Sequence, residues 1–179
     1  ARLDEGPFAG VGSIDLRHPF RDASPDAAGL PAVFDLLEER ALPFQFHGLS
    51  QADPDFTARM LEIARERPAL DLVWFGCPAT VLNGDAPGGV PSNVHCAVLS
   101  DSIRDCPAPC AGIARDALDR SLLGTDVSPA AFSQWPPGES PTGFDSFEEA
   151  VMTARERLAA LPEDVATELA RGHLERVFP

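Results

Sequence analysis

Residues 43–75 read PFQFHGLSQADPDFTARMLEIARERPALDLVWF, and a strand, a helix and a second strand follow one another in that stretch. The ends, PFQFH at 43–47 and LDLVWF at 70–75, are short apolar runs rich in the aromatic residues that strands favour. Between them Asp53 supplies an N-cap and Pro54 the fixed φ of a first helical position. Phe56, Met60, Ile63 and Ala64 then recur on one helical face. A strand, an amphipathic crossover and a second strand are the parts of one parallel βαβ step.

The step repeats on both sides. Further β-like runs occupy 10–16, 93–99 and 121–126, so the five runs begin at residues 10, 43, 70, 93 and 121. That spacing is close to the roughly 30 residues of a strand, crossover helix and loop. Upstream of residue 43, Val33, Leu37 and Ala41 share a face with Phe34 beside them, while Asp35, Glu38, Glu39 and Arg40 are left for solvent. Residues 110–120 carry a weaker stripe of Ile113, Ala114 and Leu118. Ser146 and Glu149 have capping-box spacing, and a final helix after Pro162 bears Val165, Leu169 and Leu174. The expected fold is α/β, one domain over residues 1–179, with parallel strands in sequential order and outer helices.

Composition narrows the function. The chain has 179 residues, with 28 acidic side chains against 14 basic ones, and a net charge of −14. Such a surface repels a phosphate backbone, so nucleic acid is not an expected partner. All the basic residues are Arg, which removes a Schiff-base amine and a carboxylated lysine from the available chemistry. Neither G-x-G-x-x-G nor G-x-x-x-x-G-K-[ST] occurs, which argues against a nucleotide-binding open sheet. No apolar run approaches the roughly 20 residues of a membrane span, and the N-terminal ARLDEGPF is unlike a signal peptide. The expected location is the cytoplasm, with Cys77, Cys96, Cys106 and Cys110 as reduced thiols. Cys106 and Cys110 flank two prolines and are poorly spaced for a metal knuckle.

Two residues stand where chemistry gathers in parallel α/β proteins. His47 closes PFQFH and Asp126 closes LLGTD, each at the carboxyl end of an expected strand. Each alone reads as readily as a packed histidine or a helix N-cap; together they are two divalent-metal ligands facing one barrel mouth. Asp15 and His18, after the first run, are either a solvated turn or further contacts to substrate or metal. Cys77 follows the third run as a small packed side chain or an extra ligand. Alternation alone leaves His95, in NVHCAV, facing either way, and His173 falls on the last helix. The long segments 78–92 and 127–145 each follow a strand end and read either as site-building loops or as variable surface.

The ordered set GVGSIDLRHPF, EERALPFQFHG, DLVWFGCP, NVHCAVLSD, SLLGTDVSP and ARGHLERVF resembles the later strands of a metal-dependent hydrolase barrel of the amidohydrolase superfamily. It is similar in particular to the branch of hydrolases and decarboxylases whose fourth strand reads G-x-G-E-I and whose last helix ends N-A-x-R-L-F. The resemblance covers nearly the whole chain and implies strands four to eight of a (β/α)8 barrel. It implies a divalent metal, zinc foremost, held by His47 and Asp126, with Asp126 also shuttling a proton. The implied substrate is a small molecule with an amide, ester or lactone bond, or an aromatic acid to be decarboxylated. The departures are specific: no H-x-H pair occurs, Cys77 stands where the sixth strand usually offers His, and Ser13 stands where some relatives have Glu. Gly172 and His173 replace the usual Asn and Ala of the last helix. Five strands do not close an eight-stranded barrel, so the chain is expected to form a homo-oligomer or to lack an N-terminal portion, for which Ala1 in place of Met leaves room. The competing expectation is a non-catalytic, degenerate barrel that acts as a binding or oligomerising scaffold.

Overall fold

The computed structural model describes residues 10–16, 25–47, 54–99, 120–124 and 146–177. Strands β1 (Val11–Asp15), β2 (Phe44–His47), β3 (Leu72–Phe75), β4 (Val94–Leu99) and β5 (Ser121–Gly124) form one sheet in the order of the sequence. All four pairings are parallel. Helix α1 (Leu30–Glu39) joins β1 to β2, α2 (Pro54–Glu66) joins β2 to β3, and the short α3 (Ala79–Leu82) lies between β3 and β4. Helices α4 (Phe147–Ala159), α5 (Glu163–Thr167) and α6 (His173–Val177) follow β5, with a π-helical turn at Glu168–Gly172 between the last two. The expected α/β order, the strand positions and the parallel sheet are therefore observed. Residues 110–119 of the expected 110–120 helix and the 127–145 loop lie outside the described residues.

Alternation along the strands sorts the side chains. Phe44, Phe46, Leu72, Trp74, Val94 and Cys96 enter one core together with Phe34 and Leu37 of α1 and Phe56, Met60, Leu61, Ile63 and Ala64 of α2. Both crossover helices thus cover the same face, as right-handed crossovers between sequential strands require. The rings interlock: Phe34 meets Phe44 edge-on at 5.0 Å between centroids, Phe46 lies 5.0 Å from Trp74, and Phe56 meets Trp74 edge-on at 5.8 Å. Each such pair adds roughly 0.5–1.5 kcal/mol beyond the area it buries.

Polar groups finish this core. Asn93, only 7% exposed, donates its side-chain amide to the carbonyl oxygens of Ala64 (3.1 Å), Arg67 (2.9 Å) and Leu70 (2.8 Å), closing the end of α2 against the start of β3. Arg67 reaches Asp35 (2.6 Å) and Glu38 (2.8 Å) on α1 and lies over the Phe34 ring, which clamps the two crossovers together. The hydrogen bond it donates to Asp35 holds its guanidinium above the ordinary arginine pKa against the opposing effect of burial. Gly12 is fixed by close approach, because a side chain there would collide with Gln45 of β2 where the β1 register shifts.

Three local features depart from the sequence expectation. Ala41, expected on the buried stripe of α1, is exposed at φ 50° just beyond the helix. Its N–H donates to Glu38 O while Leu42 N donates to Leu37 O, the paired bonds of a Schellman cap usually built on glycine. The single final helix is broken at the π turn. Along an unbroken α-helix Val177 would stand roughly 120° round from Val165. A π turn takes in about one extra residue, which returns Val177 to within roughly 20° of the buried line through Val165 and Leu169; all three are buried.

The third departure concerns where that helix goes. The π turn and α6 pack against β5. Val177 joins Val73 and Leu122 in a separate small core, with Phe75 beside it. Val73 alternates with Leu72 and Trp74, so this core lies on the sheet face opposite α1 and α2. Not all helices are therefore outside in the sense expected of a barrel: the last one covers the face that a barrel would turn inward. Ser146 does cap α4 as expected, its Oγ accepting from Glu149 N at 3.0 Å.

Candidate functional site

The carboxyl edge of the sheet is the place to build a site, since the loops of a parallel sheet gather there. Phe44 and Phe46 point into the helix-side core, so Gln45 and His47 project from the other face, and both are half-buried. His47 is the last residue of β2. Across the sheet it is in register with Asp15 of β1 and Phe75 of β3, and Phe75 with Ala97 of β4. Ala97 in turn faces Leu122 of β5. The ladder continues one residue beyond, with Leu16 N donating to His47 O at 3.2 Å. The sequence-predicted residues His47 and Asp15 are thus neighbours at one edge. Asp126, His18 and the side chain of Asp15 lie outside the described residues.

Cys77 does not share that edge chemically. It follows β3 by two residues and is joined by a disulfide to Cys96 of β4, which faces the helix-side core. A bonded sulfur offers no thiolate, and this one sits on the opposite side of the sheet from His47. The expectation of reduced thiols is corrected for this pair, and the reading of Cys77 as an extra ligand has no support in its position. Proximity across adjacent strands of residues 19 apart in sequence is what local spacing did not reveal.

A second histidine emerges that the sequence left open. His95 is 6% exposed on β4, and its Nε2 lies 2.9 Å from Oδ1 of Asp71. Asp71 immediately precedes β3, and His95 is in register with Val73, two residues further along the same face. A carboxylate and an imidazole at diagonal positions of adjacent parallel strands are the signal that could have found the pair. It sits toward the amino end of β3, away from the His47 row.

The loop after β3 is well held. Gly84, Gly88 and Gly89 adopt positive φ angles. Arg65 of α2 donates to Gly89 O at 2.8 Å, and Arg120 donates to Leu82 O at 3.3 Å. A depression on the outer side of α2, lined by Asp55, Arg59, Glu62 and Arg65, is open to solvent, and its Arg59 is already bonded to Asp26 and Glu62.

Compared with family models, curated proteins and solved structures, the chain matches none. Among the described residues no three His, Cys, Asp or Glu side chains are grouped to hold a metal ion. A catalytic metal takes about three protein ligands, and the described part of this edge supplies one imidazole. The described residues alone therefore do not make a complete metal centre. No described helix is long and apolar enough to cross a membrane.

Proposed function

We propose that the chain is the last five β/α units, strands four to eight, of an amidohydrolase-type barrel whose site lies at the carboxyl edge of the sheet. The observation that carries this reading is one-sided winding: sequential parallel strands, α1 and α2 on one face, and His47 at a strand's carboxyl end on the other. In barrel enzymes that is where ligands and catalytic groups project. His47 and Asp126 are then two ligands of a divalent metal, zinc first. The rest of the ligand set and three further strands come from an upstream segment or from another copy of the chain, because five strands leave two open edges. When bound, such a metal supplies a water of lowered pKa for attack on an amide, ester or lactone. The part of this chain is to orient the ion through the His47 imidazole and to accept the water's proton on the Asp126 carboxylate. A related decarboxylation would use the same two residues, with Asp126 relaying the proton.

Zinc titration followed by intact mass and metal analysis tests the reading. The chain is expected to bind zinc weakly, Asp126→Asn to weaken that binding further, and His47→Ala to abolish it while the fold persists. Binding unchanged in His47→Ala would sink the metal assignment.

A second reading, a non-catalytic scaffold that assembles through its sheet edges, is favoured by one observation. The packing of Val177 on Val73 and Leu122 occupies the face that a closed barrel keeps for its interior. Under this reading light scattering finds a stable oligomer with no zinc dependence. Under the hydrolase reading, adding zinc or the missing strands changes the assembly.

A further inference from the structure

Cys77 and Cys96 are joined across β3 and β4 with Cα atoms 5.4 Å apart, and the backbone sets up the pair. Cys96 is fixed by its ladder, in register with Trp74 of β3 and Ser121 of β5, and it faces the helix-side core. Strict alternation after Trp74 and Phe75 would send residue 77 to the reverse face, the side of His47. Gly76, at φ 71°, breaks the alternation and brings Cys77 round to pack against the core that holds Cys96.

The chain beyond Cys77 is held by contacts that do not involve sulfur. Pro78 O accepts from Val81 N at 3.0 Å and from Leu82 N at 2.9 Å, and Val81 and Ala86 are buried in the same core. Arg120 donates to Leu82 O, and Arg65 to Gly89 O. Opening the bond therefore leaves both cysteines in place, and a side-chain rotation is enough to part the sulfurs. A dithiol held in this way stays poised to close again, since little chain entropy opposes closure. The two sulfurs differ in access: Cys96 has no exposed surface, whereas Cys77 is half-buried. In exchange a thiolate attacks one sulfur while the other departs, so access selects Cys77.

We propose that Cys77–Cys96 is a thiol–disulfide exchange site in a fixed frame, where Cys77 reacts with an external dithiol and Cys96 is the resolving partner. The thiolate of the dithiol forms a mixed disulfide with Cys77 Sγ, and Cys96 Sγ leaves as a thiolate that takes up a proton. The second thiol of the reagent then attacks its own sulfur in the mixed disulfide, and Cys77 leaves and is protonated. Two electrons and two protons pass to the cysteine pair, and the external dithiol becomes a cyclic disulfide. In the reverse direction Cys77 attacks an external disulfide, and Cys96 then attacks Cys77 Sγ and expels the reduced product. The site faces away from His47 and stands whether or not that edge holds a metal.

Cleavage before aspartate gives peptides 71–84 and 85–100, which part the two cysteines from each other and from Cys106 and Cys110. Native protein equilibrated with mixtures of reduced and oxidised dithiothreitol, then alkylated, is mapped through these peptides. The pair should titrate as one couple with the same midpoint from either direction, with alkylation reaching Cys77 several-fold faster than Cys96. Re-oxidation should restore the link between the same two peptides. Phenylarsine oxide, which needs two adjacent thiols, should protect both peptides of the reduced folded chain from alkylation. The first thermolysin cut should fall at the same place in both forms. A bond that yields only in denaturant overturns the proposal, as does a first cut that moves into 78–92 on reduction. So does re-oxidation onto Cys106 or Cys110, a failure of phenylarsine oxide to protect, or equal reaction at Cys77 and Cys96. All of these readouts come from the wild-type chain, so none depends on the folding of a variant.

Discussion

The two faces of the sheet share five strands but not a way of holding them. Under α1 and α2 the strands present Phe44, Phe46 and Trp74 to further rings on the helices. On the reverse, β2 to β5 offer Gln45, His47, Val73, His95 and Leu122, and the described cover is α6 through Val177. One face is closed by large interlocking surfaces, the other by a few aliphatic contacts among polar groups. A parallel sheet normally buries both faces. Among the described residues the large interlocking rings are concentrated on one face.

That contrast can be broken most forcefully at Trp74. Trp74→Ala should cost about 3–5 kcal/mol, as for other large aromatic truncations in a packed core, measured by denaturant unfolding. Trp74→Phe should cost far less, because the buried indole Nε1 has no hydrogen-bond partner among the described residues and its removal relieves that penalty. On the reverse face, Val177→Asp should cost about 2 kcal/mol from lost aliphatic burial and a carboxylate facing Val73 and Leu122. It should detach α6 while the signal of Trp74 stays native; a loss matching Trp74→Ala would show that the faces are equally important. Ala41→Gly sharpens the comparison from the other direction, raising stability by about 0.5–1 kcal/mol by relieving the left-handed cap of α1. The smallest effect is expected at His47→Ala, within about 0.5 kcal/mol in the metal-free chain. A much larger loss would make His47 a structural residue.

The strands were legible because each presents an apolar run of the right length between turn residues. β2 starts one residue inside its expected run, and β3 two inside. Helix α2 was legible down to its buried face, since Phe56, Met60, Ile63 and Ala64 keep a strict period and Pro54 marks the start. The π turn was not, because a pattern of Val165 and Leu169 fits an ordinary helix until the partner of Val177 is known. The Cys77–Cys96 bond and the Asp71–His95 pair failed for a related reason: both join residues that only strand register makes neighbours. His47 and Asp15 could be placed at strand ends from sequence, and their adjacency followed once β1 and β2 were paired. What no local pattern encodes is which face the last helix chooses.

The side-chain amide of Asn93 has a consequence for how the molecule breathes. It ties carbonyls at the end of α2 and the entry to β3, while the main-chain carbonyl of Asn93 accepts from Leu72 N at 2.8 Å. Asp71, next to Leu72, receives Phe44 N at 2.8 Å in the same way. None of these elements can fray alone without stranding the others' buried carbonyls, so they open as one cooperative unit. In hydrogen–deuterium exchange the amides of Phe44 and Leu72 should therefore share a single, slow opening free energy. Replacing Asn93 with Ala should speed both together, and leave the cap of α4 exchanging at its own faster rate.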